Sequence, residues 1–127
     1  MLLVDDDAES REVYGEFLKM SDFEVLHAEN GLLALRLALL RAPDVVVMDL
    51  EMPVMSGFEA IQRLRADRRT SAIPIVVLSG NMALDHARAR QLGCELYLTK
   101  PCSATDLQRG VQSLVEPTAS RTDTSTG

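Results

Sequence analysis

Five polar residues sit where short apolar runs of the chain end. Asp5 and Asp6 follow Leu2-Leu3-Val4, Asp49 follows "VVVM" (45–48), Ser79 ends "IPIVVLS" (73–79), and Lys100 follows "ELYLT" (95–99). Carboxylates crowded at one place repel, and at least one resists ionising unless a cation intervenes. Oxygen-only ligands suit Mg²⁺, or Mn²⁺ in its place. A metal held by few carboxylates usually shares its remaining positions with phosphate oxygens. An ammonium at Lys100 can neutralise another phosphoryl oxygen, and a hydroxyl at Ser79 can donate to a third. These residue types support phosphoryl transfer to a carboxylate, which gives an aspartyl phosphate.

Each residue alone has a plainer role. One acidic residue after a strand is ordinarily a turn or cap residue. Asp7 is read that way, as the N-cap of the first helix. A single Lys-Pro is a turn, and a single Ser at a strand end usually caps the next helix. The specificity lies in four strand ends matching together.

The elements that must position these groups follow from periodicity. Residues 8–20 read as a helix, with Val13 and Phe17, and Tyr14 and Leu18, four apart. "FEVLHA" (23–28) reads as a strand, and "NGLLALRLALLRA" (30–42) as a helix stopped by Pro43. "VVVM" (45–48) is a strand covered on both faces. "FEAIQRLRA" (58–66) is helical, 73–79 is a buried strand, and 81–92 is a helix ending at Gly93. "ELYLT" (95–99) is a fifth strand, and 103–116 a fifth helix with Ser103 as N-cap. Five βα units with short connections imply a parallel sheet with helices on both faces. In such a sheet ligands bind outside the carboxyl ends of the strands, where these polar residues lie.

Length and composition agree. The 127 residues suit one domain, with 46% hydrophobic and 25% charged residues. A net charge of −6 argues against direct nucleic-acid binding. No apolar run is long enough to span a membrane. The start lacks the basic stretch of a signal peptide. Cys94 and Cys102 show no CxxC spacing, so neither a disulfide framework nor a zinc site is expected, and a cytoplasmic location fits. The segment "PTASRTDTSTG" (117–127) holds no large apolar group and is expected to be a flexible tail or linker stub after a domain spanning 1–116.

These residues resemble a known family, the receiver domain of bacterial two-component response regulators. The resemblance covers about residues 1–116. It implies a flavodoxin-like, doubly wound five-stranded parallel sheet in the order 2-1-3-4-5 with five helices. "LLVDDD" resembles the acidic pair, which makes Asp5 and Asp6 metal ligands. "VVVMDLEMPVMSGFEA" resembles the phosphoacceptor segment, with Asp49 phosphorylated, Met52-Pro53 as the usual Met-Pro, Gly57 as the turn glycine and the Glu51 backbone carbonyl as a further metal ligand. "VVLSG" places Ser79 as the switch hydroxyl. "LYLTKP" places Tyr97 as the switch aromatic and Lys100 as the phosphate-binding lysine, with Lys100–Pro101 cis. Glu51 and Asn81 flank the path of the hydrolytic water in that family.

The implied protein is a signalling switch and not a turnover enzyme. A partner histidine kinase or histidine phosphotransfer protein supplies the phosphoryl group. The expected output face is helix 4, strand 5 and helix 5, with Asp85, Arg88, Gln91 and Tyr97 presented to an unidentified target protein. No output domain is expected in the chain, so the reading is of a regulator that acts by docking, or of a receiver from a longer chain. The rival is a small aspartyl-phosphate phosphatase of the haloacid dehalogenase type, but that family expects D-x-D followed by Thr or Val after its first strand, and "DDDAE" does not supply this. Cys102 stands where a bulkier apolar residue is common and is read as a small buried hydrophobe. His27 and His86 are read as structural or exposed. Helix 2 is unusually apolar, with Leu33 where an acidic residue is common. A wider core contact or a partner-binding patch would each account for that.

Overall fold

The computed structural model describes residues 1–52, 54–80 and 83–115, and for Ala83, Leu84 and Asp85 the backbone alone. Pro53, Asn81, the side chain of Asp85, the expected domain limit at residue 116 and the tail at 117–127 lie outside this description.

The elements alternate as expected: β1 (Leu2–Val4), α1 (Ala8–Met20), β2 (Leu26–Ala28), α2 (Gly31–Arg41), β3 (Val46–Asp49), α3 (Gly57–Ala66), β4 (Ile75–Ser79), α4 (Ala83–Gln91), β5 (Leu96–Thr99) and α5 (Ala104–Val115). The five strands form one parallel sheet in the order β2-β1-β3-β4-β5. The order reverses between β1 and β3, so a crevice opens at their carboxyl ends.

Alternation along each strand divides the core in two. Leu2, Val4, Val46, Met48, Ile75 and Val77 face one layer, where Ala34 and Ala38 of α2, Ile61 and Leu64 of α3 and Ala89 of α4 cover them. Leu3, Val47, Val76 and Leu78 face the other, covered by Leu18 of α1 and by Leu107 and Val111 of α5. Continuous apolar strands are what a sheet buried on both faces requires.

Most elements shift by one to three residues at their ends from the sequence reading, and three of these shifts have a local reason. The strand expected at 23–28 keeps only Leu26–Ala28, because the end of α1 claims the preceding backbone: Phe23 N–H donates to the Leu18 carbonyl and Asp22 takes φ 71°. β4 starts at Ile75, since Pro74 has no N–H and offers the ladder only its carbonyl, to Val46. β3 runs through Asp49, which pairs with Leu78, so the acidic residue belongs to the strand and does not merely follow it.

The caps are local. Asp7, Asn30, Ser56 and Ser103 each accept a backbone N–H of the first turn of α1, α2, α3 and α5. Gly93 follows α4 with φ 93°.

Gly57 carries a tighter constraint. Its N–H donates to the Leu50 carbonyl, and a Cβ there would run into the Asp49 carbonyl and lie 2.7 Å from Leu50 Cα. The glycine lets α3 start directly against the end of β3. Gly57→Ala is predicted to lose about 1–3 kcal/mol of stability through overpacking, read as a lower urea midpoint at unchanged slope. An unchanged midpoint would show that the Asp49 strand end can shift freely.

Candidate functional site: an acidic cluster at the carboxyl edge

The turn after β1 brings Asp5 into the crevice and leaves Asp6 beside it. Asp5 is buried, and its Oδ1 accepts the Asp7 N–H at 2.9 Å. Asp6 is exposed. Asp49 arrives from β3, buried to 7% exposure, and its Oδ1 accepts the Glu51 N–H at 3.2 Å. Each of the three aspartates offers a carboxylate oxygen within 4.8 Å of the others. Among the described residues this is the one group whose spacing suits a metal ion.

Lys100 reaches over from the end of β5. Its Nζ lies 3.3 Å from Asp5 Oδ2 and 3.6 Å from Asp49 Oδ2, so one ammonium serves two carboxylates. Its N–H donates to the Ser79 carbonyl at 2.8 Å, which anchors it to β4. The Lys100–Pro101 peptide is cis, as the resemblance implied. Ser79 closes β4, fully buried, one residue past the partner of Asp49. The structure therefore brings Asp5, Asp6, Asp49, Ser79 and Lys100 to one end of the sheet, with Glu51 exposed beside them.

The charge balance is uneven. Burial pushes the Asp49 carboxyl up to about 6; Lys100 opposes this, and Asp5 adds to the rise. Burial would lower the Lys100 ammonium, but Asp49 and Asp5 outweigh it and its pKa is raised. One lysine does not neutralise three aspartates at this edge. An oxygen-only donor set with residual negative charge fits a small divalent cation.

Tyr97 lies within the outermost strand β5, opposite Val77 of β4. It is half-buried on β5, and its ring stacks on His86 of α4 at 4.6 Å between centroids. His86 is exposed, as read, but it faces the very aromatic expected to switch. Arg88 of α4 sits 4.0 Å above the Phe58 ring of α3. Gln91 is exposed, and so is Arg88.

Sequence reasoning missed some supports. Tyr14 Oη donates to the Cys102 carbonyl at 2.7 Å, tying α1 to the segment just after Lys100. Arg11 donates to the Asp5 carbonyl at 3.3 Å. The first spans 88 positions, and only the fold shows it. Helical phase does place Tyr14 and Arg11 one turn apart on α1, which is the available hint. Cys102 is half-buried and not buried, because it lies at the rim of the α1–α5 layer. Burial raises its thiol pKa, as does Asp106, which disfavours a reactive thiolate.

The chain belongs to the response regulator receiver domain family, whose model matches residues 1–112. The polar-differentiation response regulator DivK of Brucella anthropi is 34% identical over 104 residues, 81% of this chain and 85% of that one. The chemotaxis protein CheY4 of Vibrio cholerae superposes with a TM-score of 0.84 at 29% identity, covering 89% of this chain and 95% of that one. The receiver domain of a sensor histidine kinase from Pseudomonas aeruginosa PAO1 matches with a TM-score of 0.84 at 30% identity, covering 91% and 95%; it holds a magnesium ion coordinated in its active site cleft. No helix among the described residues is long and apolar enough to cross a membrane.

The raised Asp49 carboxyl sets a pH dependence. In the folded chain it keeps its proton up to about pH 6, against 3.8 when unperturbed. Folding then takes up a proton between those values, so this group's contribution to stability falls as pH rises from about 4 to about 6 and is flat above. With divalent ions chelated, Asp49→Asn is predicted to lack that decline and to be more stable at pH 7 by about 1–3 kcal/mol. Parallel stability–pH curves for parent and variant would exclude a raised Asp49.

Proposed function

We propose that the chain is a phosphorylation-controlled switch in which Asp49 accepts a phosphoryl group from a histidine kinase or histidine phosphotransfer protein. The observation that carries this reading is the shared ammonium: Lys100 lies within 4 Å of both Asp5 and Asp49 at the carboxyl edge of the sheet. Asp49 attacks phosphorus in line, opposite the departing imidazole. Lys100 holds one phosphoryl oxygen and the Ser79 hydroxyl donates to another. Asp5, Asp6, Asp49 and the Glu51 carbonyl would hold Mg²⁺, or Mn²⁺ in its place, and the ion supplies neutralisation of charge on the phosphoryl oxygens. Water then hydrolyses the acyl phosphate, which releases inorganic phosphate and returns Asp49 to its free carboxylate. The phosphatase alternative has no support in these findings: the acidic triplet lacks the continuation that family needs.

Incubation with acetyl phosphate and Mg²⁺ followed by mass spectrometry is predicted to map one phosphoryl group to Asp49. Incorporation falls to background in Asp49→Asn or with excess chelator, and slows by about 10²–10³ in Lys100→Ala, as for removal of one preorganised charge donor. Normal incorporation in Asp49→Asn, or with chelator present, would refute the assignment.

The output face is proposed to be α4, β5 and α5. Movement of Ser79 toward the phosphoryl group vacates space beside β5, and Tyr97 turns inward to fill it. His86 then loses its stacking partner, and the face bearing Arg88 and Gln91 changes. A gap of a few kcal/mol between states suffices for phosphate contacts to shift the populations. Fluoroberyllate, a phosphoryl mimic, is predicted to move the amide NMR signals of His86, Arg88 and Tyr97. Shifts confined to the acidic cluster and α2 would place the output elsewhere.

A further inference from the structure

The α2 helix is built inside out. Its buried positions are Gly31, Ala34 and Ala38, while three of its leucines face outward: Leu32 at 53% exposure, Leu39 at 40% and Leu40 at 71%. A helix apolar on all sides is normally covered on all sides. Small residues against the sheet bring α2 close to it; Leu33, Leu35 and Leu37 pack partly against the core, and Leu32, Leu39 and Leu40 are left on the outer face. Leu35 and Leu39 then form one wall of a groove of about 680 Å³, whose other wall is the end of α3 and the loop after it.

That second wall is basic. Arg63, Arg68 and Arg69 line the groove, and the only acidic lining residue is Asp67, in a chain of net charge −6. Arg69 already binds Asp67 at 2.8 Å, and Arg63 binds Glu59 at 3.0 Å. Arg68 is exposed beside them. The loop that presents these arginines is held in place. Thr70, buried, donates to the Leu64 carbonyl at 2.7 Å, and Ser71 N–H donates to the Asp67 carbonyl at 2.8 Å. A groove with an apolar wall and an arginine-bearing wall, the latter held by these hydrogen bonds, is therefore present before any partner arrives.

We infer that the α2–α3 groove is a docking site for an acidic amphipathic helix of a partner protein, seated by its apolar stripe on Leu35 and Leu39 and by its carboxylates on Arg68, while Arg63 and Arg69 exchange their solvent-exposed ion pairs with Glu59 and Asp67 for the partner's carboxylates. Charge complementarity selects this occupant. A two-fold dimer would pair this patch with itself, and the patch holds Arg36, Arg63, Arg68 and Arg69 against Asp67 and Glu59, so it would add positive charge to positive. A lipid surface is flat and needs clustered cations on the helix itself, whereas α2 carries only Arg36 and Arg41. The groove shares no residue with the acidic cluster, so this inference stands independently of the phosphoacceptor reading.

The test uses the full chain and a pair of fluorescent synthetic helices of about 18 residues. Both carry a leucine stripe, one flanked by glutamates and the other by lysines. The glutamate helix is expected to bind, with amide shifts at Leu35, Leu39, Arg68 and Arg69, and with affinity that falls as salt rises. Arg68→Glu, a surface change, is expected to weaken it about tenfold or more while leaving phosphoacceptance by Asp49 at the parent rate. Leu39→Ser gives a second weakening that does not depend on charge. Equal binding of both helices, no binding, indifference to Arg68→Glu, or shifts at other elements would overturn the inference. So would dimerisation abolished by Leu39→Ser, or binding to phosphatidylserine vesicles abolished by Arg68→Glu, since each assigns the face to another occupant.

Discussion

Three carboxylates and one ammonium at the end of a parallel sheet set the terms for the rest of the molecule. Asp5 and Asp49 are buried at adjacent strand ends, and Lys100 stands between them at 3.3 and 3.6 Å. Burying like charges is costly unless they are paired. Lys100 offsets part of that cost, and the rest appears as the raised Asp49 carboxyl. The fold tolerates the conflict because β1, β3 and β4 are anchored by apolar residues on both faces. Positions of this kind, where local chemistry opposes stability, are where function is expected.

The same arrangement links the site to the surface. Lys100 is tied to Ser79 through its backbone, and β5 carries both Lys100's approach and Tyr97. Lys100, which pairs with Asp49, and Tyr97, which stacks on His86 of α4, thus lie close together along one stretch of chain. The His86–Tyr97 stack and the Arg88–Phe58 contact join α4 to β5 and α3 by side chains that are partly solvent-exposed. Contacts of that kind are individually weak, about 0.5–1 kcal/mol at exposed sites, and so can be rearranged by a modest bias.

Much of this was legible in the sequence, because the signals were local. Buried strands declare themselves as apolar runs, and the polar residue ending each run lies at the ligand-binding edge by topology alone. The N-caps at Asp7 and Ser103 were equally readable. Phe23 was misassigned to a strand because its apolar character is spent packing against the α1–α5 layer, while its backbone closes α1. His86 showed no partner because Tyr97 lies on a different element, and Tyr14 gave no sign of its bond to the Cys102 carbonyl. For α2, composition left a wider core contact and a partner patch both open. The exposure of Leu32, Leu39 and Leu40 rules out the first for those residues.

The central claim is that the crowded carboxylates are a cation site held in tension by Lys100, and the Asp49 carboxyl itself reports on it. A ¹³C-detected NMR titration of the aspartate side chains, run with and without saturating Mg²⁺, reads that group directly. The account predicts a midpoint near 6 for Asp49 without the ion and a fall to or below the ordinary value of 3.8 with it. The same midpoint in both titrations, or a value near 3.8 without the ion, would contradict it.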